Sequence, residues 1–166
     1  MNDNMIKYFQ GDIFSPNRTG HECIVCLQTS CKGIQNFCEE LPEHINHISK
    51  DKDQTDKKRW MKRPLGSVKY HPIKHKGFDF LIAAMFIKHC SRYIDLEINQ
   101  AALREALHDI YLVAKPLPAR TLTTVRIPYK LHCRIDESVW TDILNIIMEE
   151  LVEKNIPVEI WQIENM

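Results

Sequence analysis

Apolar positions along this chain follow two alternating periods. Ile6-Lys7-Tyr8-Phe9-Gln10 is a β-prone run closed by Gly11, and Ser15-Pro16-Asn17 marks a turn soon after it. Cys23 to Leu27 is almost continuously apolar, as expected of a strand buried on both faces. From Ile34 to about Ile48 the period becomes helical, with Phe37, Leu41, His44, Ile45 and Ile48 on one side. Leu65 to Tyr70 opens another strand, His75-Lys76-Gly77 reads as a hairpin-like turn, and the long apolar run Phe78 to Phe86 predicts a central strand. Asp95 to Ala114 predicts a helix whose inner face carries Leu103, Ala106, Leu107, Ile110 and Tyr111, stopped by Pro116 and Pro118.

The stretch from Thr121 to Ile163 is the best defined. Leu122 to Pro128 is rich in β-branched residues and ends at a proline, so it predicts a strand. A polar loop, Tyr129 to Arg134, leads to Asp136, whose carboxylate suits the cap of a helix. Val139, Trp140, Ile143, Ile146, Ile147, Met148 and Leu151 then recur at helical spacing, Asn155 and Pro157 end the run, and Val158 to Ile163 alternates as a last strand. Strand, loop, helix and strand form a βαβ unit. In open α/β sheets ligands bind beyond the carboxyl ends of the strands, beside helix N-termini. The loop from Tyr129 to Asp136 is therefore the first place to look for a site. Alternation of strands and helices along most of the chain predicts a three-layer α/β/α sandwich with a mixed central sheet.

Charge adds little direction. The 166 residues hold 22 Lys plus Arg against 22 Asp plus Glu, so no net field draws in nucleic acid or an anionic membrane. The mixed-sign stretch from Ser49 to Arg63 reads as a solvated loop, insertion or exposed helix within one domain spanning residues 1–166. The sequence has no apolar leader and no run of transmembrane length, so its 6 cysteines are expected to be reduced and the protein cytoplasmic.

Several residue groups invite chemistry. Cys23-x-x-Cys26, with His21 nearby, has a zinc-like spacing, but residues three apart on a strand face opposite ways, and no metal is expected. His44 and His47 lack the acidic partner of a metalloprotease helix, and His71 and His75 flank a lysine-rich turn. Cys133 lies beside Arg134 near a helix N-terminus, a setting that can lower a thiol pKa and make it nucleophilic. There is no phosphate-binding Walker loop and no nucleophile elbow.

Taken in order, several of these segments resemble a macro domain, the ADP-ribose-binding module. Tyr8-Phe9-Gln10-Gly11-Asp12-Ile13-Phe14 is similar to the family's first strand ending in Gly-Asp-Ile. Leu65-Gly66-Ser67-Val68 and Leu81-Ile82-Ala83-Ala84-Met85-Phe86 resemble its paired middle strands. Arg126-Ile127-Pro128-Tyr129-Lys130-Leu131-His132-Cys133-Arg134-Ile135-Asp136, followed by Trp140, resembles its second phosphate loop and the helix after it. The nearest branch is that of the small hydrolases removing terminal ADP-ribose, with their phage and bacterial relatives.

The resemblance implies a pocket for ADP-ribose or a related adenosine-containing nucleotide, free or on a modified protein or nucleic acid, with no cofactor. Asp12, followed by Ile13, would accept a hydrogen bond from the adenine amino group, and the ring of Trp161 would stack on the base; the alternatives are a turn-forming Asp and a core Trp. Gly33, His132, Cys133 and Arg134 fall on the two phosphate loops. There the chain departs from the family: the first loop looks about two residues short and keeps only Gly33, and two glycines of the second are His132 and Arg134. Arg134 either pairs with phosphate or fills the pocket. Asp136 matches the family's assisting aspartate, while the position of its nucleophilic lysine falls on Ala84 or Met85, with Lys88 a few residues on. Three readings stand: a nucleotide-binding module, an ADP-ribosyl hydrolase using Asp136, and a pseudo-macro domain that binds a protein.

Overall fold

The computed structural model describes residues 6–16, 22–29, 65–88, 98–115, 122–133 and 135–162. The helix expected after Ile34, the charged stretch 49–63, Gly33 and Arg134 lie outside them. Strands are β1 (Ile6–Gln10), β2 (Glu22–Thr29), β3 (Val68–His75), β4 (Phe78–Phe86), β5 (Thr123–Pro128) and β6 (Val158–Gln162), and helices are α1 (Gln100–Ala114) and α2 (Glu137–Glu150). The strands make one mixed six-stranded sheet in the order β1-β6-β5-β2-β4-β3. Among the described strands only the β3–β4 pairing is antiparallel. It turns through Lys76 and Gly77, at φ 51° and 84°, whose positive φ values suit the right-handed twist of the flanking strands.

Strand periodicity sorts the core into two clusters. Ile24, Cys26, Ala83, Met85, Val125, Ile127, Val158 and Ile160 face both described helices, meeting Leu103, Leu107 and Ile110 of α1 and Trp140, Ile143 and Ile147 of α2. Cys23, Val25, Leu27, Phe80, Ile82, Ala84 and Trp161 face the other way and are covered by Ile13 and Phe14 from the turn after β1. Cys23 and Cys26 thus point to opposite faces, as the strand reading requires.

Helix α1 starts at Gln100, not Asp95. Asn99 caps it, its side chain accepting from Ala102 N at 2.9 Å, and the cap sets the boundary that periodicity alone overran. Likewise α2 ends at Glu150, and a 3₁₀ turn (Val152–Lys154) with Asn155 at φ 66° carries the chain into β6. The Phe78–Phe86 run lies inside the sheet but next to the edge strand β3, because the chain crosses back over β2 after it. The unit β5–α2–β6 is parallel, as the pattern predicted.

Candidate functional site

β2 and β5 are neighbours, yet β2 is followed along the chain by strands on one side of it and β5 by a strand on the other. Such a reversal leaves a crevice beyond the carboxyl ends of the strands, where connecting loops diverge to opposite faces. The described residues at that end include the turn after β1, the last residues of β6, the loop after β5, the ends of β2 and β4 and the turn before β3.

The turn after β1 is tied down from several directions. Gly11 N donates to Gln162 O at 2.9 Å, which lays the turn beside the end of β6. Asp12 accepts at Oδ1 from Phe14 N at 2.9 Å, and Asp12 O accepts from Ser15 N at 2.9 Å. Ile13 and Phe14 are buried, whereas Asp12 is exposed. Beneath the turn lies Arg126 of β5, with a side chain only 3% exposed. Its Nη1 donates to Ile13 O and to Ser15 O, both at 2.7 Å, and its Nε donates to Glu159 Oε1 at 3.0 Å. The same Glu159 oxygen accepts from Trp161 Nε1 at 3.0 Å. The guanidinium carbon lies 4.8 Å from the centroid of the Trp161 ring, and Phe9 of β1 stacks on that ring at 4.9 Å with 14° between planes. Asp12, Ile13 and Trp161 are therefore brought together on one face. Trp161 itself is 7% exposed, and the open member of the aromatic pair is Phe9, at 39%.

The loop after β5 belongs to the helix-facing side. Tyr129–His132 forms a 3₁₀ turn in which Lys130 and Leu131 are left-handed, at φ 55° and 53°. Each costs a non-glycine residue about 1–2 kcal/mol. Leu131 holds its place because its side chain is buried in the core beside α2. Lys130 is held by Glu137, Nζ to Oε1 at 2.9 Å, an oxygen that also accepts from Tyr129 Oη at 2.9 Å. The Lys130 ammonium first, and the Tyr129 hydroxyl second, hold Glu137 below the usual carboxylate range. Left-handed backbone thus falls one and two positions earlier than His132, where the glycine pattern placed it. The backbone of His132 closes this turn. Cys133 follows in extended conformation, its N donating to Lys130 O at 3.0 Å and its Sγ to Leu131 O at 3.4 Å. Asp136 caps α2: Oδ1 accepts from Val139 N at 2.9 Å and from Ser138 Oγ at 2.7 Å. The Ser138 hydroxyl foremost, then the Val139 amide, lower its pKa, so it is a carboxylate at neutral pH.

Ala84 and Met85 are fully buried strand residues on opposite faces, and Lys88 stands just beyond the end of β4. Among the described residues no group of His, Cys, Asp or Glu is arranged to hold a metal ion, and no helix is long and apolar enough to cross a membrane. Burial pushes the Cys23 thiol up to about 12, against the lowering effect of Arg126, and raises Cys26 as well. Sequence reasoning passed over Arg126, Glu159 and Phe9. The signal was there for the first of these, since Arg126 is a lone charge inside an apolar strand.

The sequence matches no protein-family model and no curated protein. Among solved structures it is similar to a protein from Bacteroides thetaiotaomicron, at 22% identity and TM-score 0.62 over 95% of this chain and 99% of that one. A macrodomain protein from Streptomyces coelicolor aligns at 18% identity and TM-score 0.60, over 95% and 98% of the two chains. The macrodomain of Mycobacterium tuberculosis DarG aligns at 17% and 0.59, over 95% and 97%. The chain has the macrodomain fold.

Proposed function

We propose that the chain is a binding module for an adenosine-containing nucleotide, ADP-ribose or a relative, with the base held at the β1–β6 side of the crevice. The observation that supports this most is the Asp12 turn, anchored by Arg126 and set beside the Phe9–Trp161 aromatic pair at the carboxyl ends of parallel strands. An exposed carboxylate suits an adenine amino group, and an exposed aromatic face suits the flat base. In this reading Phe9 presents the face and Trp161 backs it. The amides of the 129–136 loop and the N-terminus of α2, with Cys133, His132, Arg134 and Gly33, are the phosphate side. Proteins with modified side chains, or nucleic acids carrying ADP-ribose, are the partners this pocket would suit, and residues 1–166 would act as one domain.

Calorimetric titration with ADP-ribose, AMP and NAD tests the reading. Binding of AMP, and its weakening about tenfold or more by Asp12→Ala, is the expected result; no heat with any of the three overturns it.

Hydrolysis is the less favoured reading. Asp136 Oδ1 is engaged as a helix cap, and the positions matching the family's lysine are buried Ala84 and Met85. Release of free ADP-ribose from a modified substrate, abolished by Asp136→Ala, would restore it.

A further inference from the structure

We infer that Arg126 is a positioning residue for base recognition: it sets the Asp12 carboxylate through a single peptide plane. Ile13 O accepts from Arg126 Nη1 at 2.7 Å, while the amide next to it, Phe14 N, donates to Asp12 Oδ1 at 2.9 Å. In a planar trans peptide the C=O and N–H vectors are antiparallel. Drawing the Ile13 carbonyl inward therefore aims the Phe14 N–H away from the core, and the Asp12 side chain is fixed where that N–H points. Rotation of that plane would break the Ile13 O bond to Arg126 and the Phe14 N bond to Asp12 together, and Arg126 also holds Ser15 O, two residues on, from the same nitrogen at 2.7 Å, which pins the far side of the turn.

The same guanidinium sets the aromatic partner. Glu159 Oε1 accepts from Arg126 Nε and from Trp161 Nε1, both at 3.0 Å, which fixes the indole edge-on to the acid and flat against Phe9. One buried ion pair thus fixes both the hydrogen-bonding group and the stacking group for a base, and so the distance between them. Only a planar fork with several donors can do this; an ammonium at that place would satisfy fewer of these acceptors.

The ligand part of this inference rests on the adenosine reading; the part about the turn does not. Two measurements separate them. Amide hydrogen exchange of Arg126→Lys should show Phe14 exchanging at least tenfold faster than in the unsubstituted protein, with amides in the middle of α2 unchanged. Unaltered protection at Phe14 overturns the inference, whether or not any nucleotide binds. The second measurement is a double-mutant cycle for AMP binding with Arg126→Lys and Asp12→Ala. If Arg126 works through Asp12, the two losses are strongly sub-additive; losses that simply multiply overturn it. Absence of binding of ADP-ribose, AMP and NAD to the unsubstituted protein refutes the adenosine reading alone, and the exchange result then decides the role of Arg126. Should Arg126→Lys fail to fold, Arg126→Gln removes the forked donor while keeping a polar side chain, and the same selective loss of Phe14 protection is expected, unaltered protection overturning the inference.

Discussion

At the scale of single residues, the energetics centre on one buried charge. A guanidinium removed from water is tolerable only when its donors are met, and Arg126 meets Glu159, Ile13 O and Ser15 O. Arg126→Met should therefore cost about 3–5 kcal/mol in urea unfolding, because Glu159, largely buried, is left as a carboxylate without its counter-charge. Adding Glu159→Leu should recover only part of that, since the Ile13 and Ser15 carbonyls and the Trp161 N–H still lose partners. The cysteines offer an independent check on burial. Cys23 and Cys26 are buried with raised pKa values, so thiol-specific reagents should label them only at the rate of unfolding. Labelling as fast as a free peptide thiol would contradict the core assignment. What the sequence showed at this scale was residue type without partner. Asp12, Ile13 and Trp161 were recognisable as candidates, but that Phe9 covers Trp161 follows from the pairing of β1 with β6, which no local pattern encodes.

Elements carry their own signals more completely. The apolar face of α2, its Asp136 cap and the strand after it were all readable, because each rests on contacts within a few residues. Asp136 has a folded-state pKa below its unfolded one, so its stabilising effect is full above the unfolded value and disappears as pH falls through the folded value. The urea midpoint should fall on acidification below about pH 4, and Asp136→Asn should flatten the part of that slope which Asp136 supplies. Asparagine is as good a cap, so the neutral-pH midpoint should change little, whereas Asp136→Ala should lower it. Gly66 tests the joint between β3 and α1. It sits at φ +90°, donates to Phe86 O at 2.7 Å, and an added Cβ would lie 2.3 Å from Glu105 Oε2 and 3.0 Å from Glu105 Cβ. The carboxylate end can swing away but the Cβ cannot, so Gly66→Ala should destabilise by about 1–3 kcal/mol, chiefly through the backbone. The left-handed pair Lys130–Leu131 was not legible, because it is held by a buried Leu131 and by the Lys130–Glu137 contact rather than by glycine.

On the scale of the whole molecule, the sheet order reverses between β2 and β5, and at such a switch point open α/β sheets take their ligands. A nucleotide that binds only the folded chain must raise its stability, by about 2.7 kcal/mol at a hundred times its Kd. Thermal unfolding with increasing AMP should thus shift upward in the unsubstituted protein and scarcely in Asp12→Ala.

Within the described residues, the sequence by itself determined which segments are strands and which are helices, where α2 begins, and which residues belong to a Gly-Asp-Ile turn and a loop before a capped helix. Those are set by hydrophobic period, caps and turn residues, all of short range. Tertiary structure alone decided that Arg126 lies under Ile13, that Glu159 serves both Arg126 and Trp161, and that left-handed backbone falls at Lys130 and Leu131. The physical reason is that each of these is an interaction between strands or between a loop and the core, and its energy depends on burial that exists only once the sheet has assembled.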